Sequence, residues 1–369
     1  MTRRLVREFA ENEIAPHIRH FDETQEFPAV IMSKLGELGL LGVVIPTEYG
    51  GAGMTYLDYV CVIEELGRVD PSVGLSVAAH NGLCSNHIFL FGNESQKKKY
   101  LIPLASGKKI GAWALTEPNA GSDAKGLQTI AEKRNGKWIL NGSKNFITHG
   151  TVGDIAVVMA VTDRSNPKDG ITSFILEKGM PGFRASKKED KLGHRASDTS
   201  SLVFEDCEVP EENLIGEPGK GFRQSMQILE GGRVAIAALS VGLAQGAYEL
   251  ALKYSKERKQ FGHPISDYQA IQWMLADMAT EIEASRLLTY RAAWLRQSGR
   301  KFAKEAFMAK LYASETCVRA ADRCVQIHGG YGYIKEFLAE KYYRDAKLLT
   351  IGEGTSEIQR IAIAKQLLK

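Results

Sequence analysis

The chain has 369 residues, enough for two or three hydrophobic cores at roughly 100–200 residues per domain. Its apolar fraction of 44% and charged fraction of 25% are those of an ordinary globular protein. A net charge of +3 gives no reason to expect nucleic acid or an anionic membrane as the main partner. The five cysteines are scattered, odd in number and without a C-x-x-C pair, so isolated reduced thiols are expected.

The N-terminal residues do not resemble a targeting segment. No apolar core follows the first four residues, and Glu8, Glu11 and Glu13 argue against an acid-poor transit peptide. The most membrane-like run, residues 234–244, falls well short of the ~20 residues that a bilayer requires. We therefore expect no membrane span and a cytoplasmic location, or a mitochondrial matrix location if a presequence was removed.

The predicted secondary structure changes from helical to β-rich near residue 110. Residues 1–109 are predicted to be helical, because apolar side chains recur there at helical spacing. Residues 110–217 contain short β-rich runs, with Asn135-Gly136 as a hairpin turn and Asn141-Gly142 as a further turn. Short strands with frequent turns favour a small β-barrel or sandwich.

Residues 218–369 are predicted to form an antiparallel four-helix bundle, because three long helical patterns and a final shorter one follow one another with short links. Gly231 and Gly232 lie inside the first helix, where each costs about 1 kcal/mol relative to alanine. Close packing or a ligand is expected there. Ser356 and Gln359 fit a capping box that starts the last helix. The predicted fold class is therefore α+β with three domains.

The common signatures of nucleotide and metal sites are absent. No strand is followed by G-x-G-x-x-G, and neither G-x-x-x-x-G-K-[ST] nor H-E-x-x-H occurs. The histidines lack acidic or cysteine companions at the spacing of metal ligands, so no metal site is expected. A nucleotide, if one binds, binds outside the usual nucleotide folds.

Four segments have the composition of ligand-binding loops, although each also has a simpler interpretation. Residues 113–123 form a small-residue loop after a strand, and residues 145–149 place an aromatic near a hydroxyl. Arg258 could bind a pyrophosphate or simply lie at a basic helix end. The glycines in residues 326–332 permit close backbone approach or a plain helix cap.

Glu353 lies between two glycines in residues 351–357. A carboxylate in such a loop is mobile enough, and little enough crowded, to reach a substrate. An exposed loop glutamate is the simpler alternative when this segment is considered alone.

Taken together, the motifs are specific. W-A-L-T-E-P-x-x-G-S-D, E-R-x-x-F-G, Q-I-x-G-G-x-G and E-G-T-S-E-I-Q-R occur in the order and spacing of the acyl-CoA dehydrogenase family. The chain resembles that family over nearly its whole length, and residues 188–193 and 204–219 look most like its short-chain, butyryl-CoA branch. The resemblance implies an N-terminal helical domain, a middle β domain and a C-terminal four-helix bundle.

The same resemblance implies a function. It implies FAD-dependent dehydrogenation of a short or branched acyl-CoA to the trans-2-enoyl-CoA, as in fatty-acid β-oxidation. Electrons would pass to an electron-transfer flavoprotein, and the enzyme would be a homotetramer built from dimers. Glu353 would remove the α-proton, and its backbone N–H would help a flavin ribityl hydroxyl polarise the thioester carbonyl.

The resemblance also assigns binding residues. FAD would lie between the β domain and the bundle. The implied cofactor contacts are Trp113, Leu115, Thr116, Ser122, Phe146, Thr148, Arg258, Phe261, Gln269, Gln326, Gly329, Gly330, Thr355 and Glu357. The implied substrate contacts are Ser122, Leu229, Arg233 and Gly354. Among the cofactor residues, those from Arg258 to Gly330 would reach FAD across a subunit boundary.

Three positions depart from patterns in the family. Phe146 replaces a tryptophan, which gives a smaller surface for stacking. Gly232 stands where some relatives carry their base, so the base falls to Glu353. Gly352 replaces a tyrosine found in many relatives, and we expect the wider pocket to admit branched or cyclic acyl groups.

Two other functions are compatible with the same scaffold. An acyl-CoA oxidase would return electrons to oxygen, but the short, single-bundle C-terminus favours a dehydrogenase. A non-catalytic flavoprotein that binds nucleic acid is disfavoured by the intact Glu353 loop and by the lack of a basic extension.

Overall fold

The computed structural model describes residues 1–166 and 169–368. Its helices, strands and helices follow one another along the chain, so the predicted α+β fold is confirmed. The N-terminal helices are α1 (Thr2–Phe9), α2 (Ile18–Thr24), α3 (Ala29–Glu37), α4 (Tyr56–Val69), α5 (Pro71–Ala78), α6 (Asn86–Phe91), α7 (Glu94–Gln96) and α8 (Ile102–Ala105). Wider helical turns at Ala10–Ile14, Ala79–Ser85 and Lys97–Leu101 extend α1, α5 and α7.

Helix α4 is the central helix of the N-terminal region and is buried on nearly every side. Thr55 and Asp58 cap its start reciprocally, with Thr55 Oγ1 accepting from Asp58 N at 3.1 Å. Its buried Glu65 binds Arg3 at 2.7 Å and Arg7 at 2.8 Å. These ion pairs fix α1 along α4, because a buried carboxylate requires a partner.

The middle region is one connected sheet. Its strands are β1 (Gly111–Ala114), β2 (Ile130–Arg134), β3 (Lys137–Thr148), β4 (Ile155–Val161), β5 (Ile171–Glu177), β6 (Phe183–Lys188), β7 (Thr199–Pro210) and β8 (Leu214–Ile215). The strand order is β6-β7-β3-β2-β4-β5-β8, and β1 runs parallel beside β4. Strands β4 and β5 are buried over nearly their whole length because one face packs inside the sheet and the other against N-terminal helices.

The two predicted turns in this region have different outcomes. Asn135 and Gly136 join β2 to β3 with left-handed φ angles of 49° and 76°, as a tight hairpin requires. The turn predicted at Asn141-Gly142 is wrong, because both residues lie inside β3. Gly142 instead marks a register shift between β3 and β7, where a Cβ would lie 2.7 Å from the Thr129 Cα.

The C-terminal region consists of three long helices and two short ones. Its elements are α9 (Gly221–Glu257), β9 (Lys259–Gln260), β10 (His263–Pro264), α10 (Gln269–Gln297), α11 (Ala303–His328), α12 (Ala339–Leu349) and α13 (Ser356–Leu367). Helix α9 packs against α4 as well as α10 and α11, so both helical regions share one core. All five cysteines are buried and unpaired.

Helix α9 is the one described helix long and apolar enough to cross a membrane. However, 78% of its apolar window is buried inside the protein, as expected for a central core helix. Its length has a further consequence, since it connects the sheet, the bundle and the loop that carries Glu353.

Candidate active site

Glu353 lies in the loop of residues 350–355 between α12 and α13. Glu353 and Gly354 both have left-handed backbones, with φ of 53° and 98°, which is unfavourable for a residue with a side chain. Lys310 Nζ and Gln359 Nε2 each donate to the Gly354 carbonyl oxygen at 2.8 Å. The loop therefore presents Glu353 from a backbone that two side chains hold in place.

The helix after this loop is capped differently from the prediction. Thr355 is the N-cap residue, and its Oγ1 accepts from Ile358 N at 3.4 Å. The predicted capping box on Ser356 and Gln359 is therefore wrong. Ser356 is the first helical residue, and Gln359 turns back to donate to the loop carbonyls of Glu353 and Gly354.

The Glu353 carboxylate packs against the backbone of α9 at Gly232. A Cβ built on Gly232 would lie 2.7 Å from Glu353 Cδ and 3.0 Å from Oε1, so the carboxylate occupies the space of a missing side chain. Oε2 is buried and has no hydrogen-bond partner among the described residues. Burial raises the pKa of Glu353 to about 7, although Arg233 and Lys310 act in the opposite direction. The group is thus a proton acceptor near neutral pH.

The neighbouring Gly231 has a different occupant. A Cβ there would lie 2.8 Å from Arg296 Cζ, which is itself 4.0 Å from the Tyr56 ring centroid. The Tyr56 hydroxyl donates to the Gly231 carbonyl at 2.9 Å. The first glycine therefore admits a packed arginine, and the second admits the candidate base.

Arg233 and Leu229 extend this site along α9. Arg233 is buried, its Cζ lies 4.7 Å from the Phe307 ring centroid, and its Nε has no partner within the part of the chain described. Leu229, one helical turn earlier, packs against the cluster that contains Trp113 and Leu115. Helix α9 therefore contacts the candidate base at Gly232 and the cluster of the sheet at Leu229.

The loop after β1 is anchored by a buried ion pair that the sequence did not reveal. Lys144 Nζ lies 2.6 Å from Glu117 Oε1 and donates to Leu115 O at 3.1 Å. Burial would raise the pKa of Glu117, but the Lys144 charge and backbone donors outweigh it and lower the pKa. Thr116 is fixed as well, because its carbonyl accepts from Asn145 N at 2.9 Å.

Replacing Lys144 with methionine is expected to lower the free energy of unfolding by about 3–5 kcal/mol, because Glu117 would remain buried without a partner. Denaturant unfolding measures this loss. Lys133→Met is the matched control, since its pair with Glu211 is exposed and contributes at most about 1 kcal/mol. Equal losses in the two variants would contradict the anchoring role.

Trp113 is oriented from behind by a histidine that motif reading also missed. Its Nε1 donates to His87 Nδ1 at 3.0 Å, and His87 Nε2 lies 3.2 Å from Gln224 Oε1. Burial lowers the pKa of His87 to about 4, so the ring is neutral and can accept from Trp113. No local pattern in the sequence indicates this contact, because Trp113 lies 26 residues from His87 in the chain.

The remaining predicted residues of the middle region lie at its rim. Ser122 is exposed in the loop after β1. Phe146 is 65% exposed, and its φ of 57° turns the ring outward at the end of β3. Thr148, the last residue of β3, is half-buried. A flat aromatic group could therefore meet Trp113 and Phe146 at this rim.

A second group of predicted residues lies elsewhere. Arg258, Gly329 and Gly330 line a cleft of about 510 Å³ at the far ends of α9 and α11. Nothing lies within 4 Å of a Cβ built on either glycine, and Arg258 Cζ is 5.3 Å from the Tyr331 ring centroid. Phe261 nearby is 93% exposed. Gln269 and Gln326 are also exposed, but neither lines this cleft.

The structure does not bring this second group to the base. Arg258 follows Arg233 by about 25 residues on one continuous helix, a rise of about 38 Å. Thr355 and Gly354 lie beside Glu353, whereas Glu357 is exposed on the first turn of α13. Among the described residues, no group of three or more potential metal ligands is found.

The residues present fit a bound FAD. Open space at Gly121, Gly329 and Gly330 permits backbone approach, and Arg258 suits a pyrophosphate. The exposed Phe146 ring and the half-buried Trp113 ring suit a flat heterocycle. The buried Glu353 carboxylate, whose Oε2 has no partner among the described residues, lies against α9 at Gly232.

Comparisons with known proteins agree with this combination of fold and site. The family models described as the acyl-CoA dehydrogenase N-terminal, middle and C-terminal domains match residues 1–108, 112–207 and 219–368. The chain is 47% identical to the short-chain specific acyl-CoA dehydrogenase of Clostridium acetobutylicum, over 100% of this chain and 97% of that protein.

Solved structures are similarly close. Butyryl-CoA dehydrogenase from Megasphaera elsdenii gives a TM-score of 0.98 at 45% identity, covering 100% of this chain and 97% of that one. A chain from the structure described as the electron transferring flavoprotein of Acidaminococcus fermentans gives a TM-score of 0.99 at 48% identity, with the same coverage.

This helix–sheet–helix chain, with its cofactor loops and a buried carboxylate that has no partner among the described residues, is a flavoprotein oxidoreductase. The chain belongs to the acyl-CoA dehydrogenase family. It is an FAD-dependent enzyme that dehydrogenates acyl-CoA thioesters, a reaction of fatty-acid β-oxidation.

Proposed function

We propose that this enzyme oxidises short or branched acyl-CoA at the α,β-bond, with Glu353 as the catalytic base. The observation that carries the proposal is the buried Oε2 of Glu353, which has no partner among the described residues and lies over Gly232. A carboxylate with a pKa near 7 is half ionised at neutral pH and strong enough to accept a proton.

The proposed step forms the double bond by removing two hydrogens. Glu353 takes the α-proton, the electrons of the Cα–H bond form the new π bond, and the β-hydrogen leaves with its electron pair. Bound FAD supplies the acceptor for that hydride. No described residue accepts a hydrogen bond from the backbone N–H of Glu353. This N–H is therefore available to stabilise the thioester oxygen as negative charge develops there.

Substrate would lie along α9. Arg233 offers a buried cation, and Leu229 offers an apolar wall beside the cofactor loops. Ser122 and Gly354 would also contact the substrate. We propose that FAD contacts the residues that the resemblance implies, from Trp113 to Glu357. The members of this set in the middle region lie at the rim of the sheet next to α9.

We further propose that each FAD is shared between two chains in a homotetramer built from dimers. The support is that Arg258, Phe261 and the glycine cleft lie about 38 Å along α9 from Arg233, so one chain contributes them to another chain's cofactor. Exposed Trp273 and Leu287 on α10 also leave an apolar surface for association. A holoenzyme that sediments as a monomer with full FAD would exclude this arrangement.

Electrons are proposed to leave through an electron-transfer flavoprotein rather than oxygen. The support is the match to the Acidaminococcus fermentans structure described above. Reoxidation of the substrate-reduced enzyme, measured in air and with an added electron-transfer flavoprotein, separates the dehydrogenase from the oxidase.

The experiment that tests the reaction is anaerobic flavin bleaching by a panel of straight, branched and cyclic acyl-CoA compounds. Rapid bleaching by short or branched members supports the proposal. A holoenzyme that no acyl-CoA bleaches would overturn it.

Gly352 is the position at which substrate width can be tested. A Cβ built there meets only Leu348 O at 3.7 Å, so a side chain has space. Gly352→Tyr is expected to keep bleaching by butyryl-CoA within about threefold but to slow branched acyl-CoA roughly 10-fold or more. Gly352→Ala is the control and should change neither rate. An unchanged branched-to-straight ratio in the tyrosine variant would show that Gly352 does not set pocket width.

A further inference from the structure

Lys310 is a fully buried lysine in α11 with no role in the reaction described so far. Its Nζ donates to the Gly354 carbonyl oxygen at 2.8 Å, one peptide away from the base. Within the described residues, it forms no ion pair with any carboxylate at 4.0 Å or less. Lysine is rarely buried unless it is paired, so this position requires an explanation.

Protein stability does not supply that explanation. A buried ammonium group that binds only a neutral carbonyl is costly, and methionine of similar shape would avoid the desolvation. The carbonyl would not become unsatisfied, because Gln359 Nε2 also donates to Gly354 O at 2.8 Å. The lysine is therefore unnecessary for hydrogen bonding at this oxygen.

The surroundings of Lys310 point to the base instead. Phe307, one turn earlier on the same face of α11, lies under the Arg233 guanidinium. Helix α11 thus supports both cations that act on the Glu353 carboxylate, Arg233 through Phe307 and Lys310 directly. Burial lowers the pKa of Lys310 to about 8, while the Glu353 charge acts in the opposite direction.

We propose that Lys310 is a positioning residue for the base. Its ammonium group fixes the Gly354 carbonyl, and its charge keeps the Glu353 carboxylate ionised and seated over Gly232. This inference rests on the proposed role of Glu353, and it adds a specific electrostatic partner from another helix.

Of the other groups around the pair, Arg233 lowers the pKa of Glu353 as Lys310 does, whereas the tyrosines and the other carboxylates do not. The Tyr56 and Tyr59 hydroxyls of α4 are buried, which raises their pKa and keeps them neutral. Arg233 stays charged across the usable pH range. Glu230 acts on Arg233, and Glu315 and Glu357 act on Lys310 from its periphery.

The test is the pH profile of anaerobic bleaching by butyryl-CoA in Lys310→Met. The base is active when ionised, so the wild-type rate should rise with pH through a midpoint near 7. Without the Lys310 charge the midpoint should move up by roughly one unit or more. The rate should fall at pH 7 and recover at high pH, while thermal stability and FAD content stay at or above wild-type values.

Two further variants complete the design. Lys310→Arg retains the charge and should restore the midpoint, whereas Lys304→Met, on the exposed side of α11, should leave it unchanged. A Lys310→Met profile with an unshifted midpoint, or an arginine variant that matches methionine, would overturn the role. If the variants give one of these contrary results while wild type bleaches normally, the role of Lys310 is wrong and the proposed function stands. If no acyl-CoA bleaches wild type, the proposed function itself fails.

Discussion

Replacing Glu353 with glutamine is expected to slow anaerobic flavin bleaching by on the order of 10³-fold. The amide keeps the size of the side chain but cannot accept the α-proton. FAD binding should remain, because neither the cleft at Arg258 nor the loop after β1 depends on the carboxylate. Acyl-CoA binding should remain as well. Stopped-flow spectroscopy of the flavin measures the rate, and perturbation of its spectrum by acyl-CoA measures binding.

The pH dependence adds a second criterion. The wild-type rate should rise through about pH 7, where Glu353 ionises, and the residual rate of the glutamine variant should lack that step. Stability should not fall, because the substitution removes a group whose ionisation in the folded state is opposed by burial.

Glu230→Gln is the matched control. Glu230 lies two residues before Gly232 on α9 and is the nearest alternative carboxylate in sequence to that site. The bleaching rate of Glu230→Gln should remain within a few-fold of wild type. Bleaching at a normal rate by Glu353→Gln, or a large loss in Glu230→Gln alone, would assign the base elsewhere.

Local sequence patterns were sufficient for most of the fold. The long helices of the bundle and the hairpin at Asn135-Gly136 follow from periodicity and turn chemistry, which act over a few residues. The failures were tertiary. Asn141-Gly142 has the composition of a turn, but pairing of β3 with β7 extends the strand through it. Gln359 fits a capping box locally, yet the loop carbonyls compete for its amide.

The candidate site could be predicted only in part for the same reason. Motifs predicted Glu353 as the base and assigned the cofactor loops. They could not identify Lys144, Lys310 or His87, because each acts on a partner at least 26 residues away in the chain. A lone lysine in a strand or helix carries no local sign of burial. The occupants of Gly231 and Gly232 come from α10 and the Glu353 loop, which sequence spacing does not show.

Gly232→Ala is expected to separate stability from activity. Alanine should raise the free energy of unfolding by up to about 1 kcal/mol, because it favours the helix interior of α9. Its methyl group would overlap the Glu353 carboxylate, which is the end of a flexible side chain and can move aside without unfolding the protein. Moving the carboxylate about 1 Å away from the α-carbon of the substrate should lower the bleaching rate about 10²-fold.

Gly231→Ala provides a control on the adjacent residue. It gives the same gain in helix propensity, but its methyl group meets the Arg296 guanidinium rather than the base. Bleaching should therefore remain within a few-fold of wild type. Urea unfolding and anaerobic bleaching of both variants measure the two effects. Equal activity losses would indicate that Gly231 and Gly232 together, rather than Gly232 alone, shape the pocket. A normal rate in Gly232→Ala would contradict the proposed position of the base, because the added methyl group fills the space over Gly232 that the carboxylate is proposed to occupy.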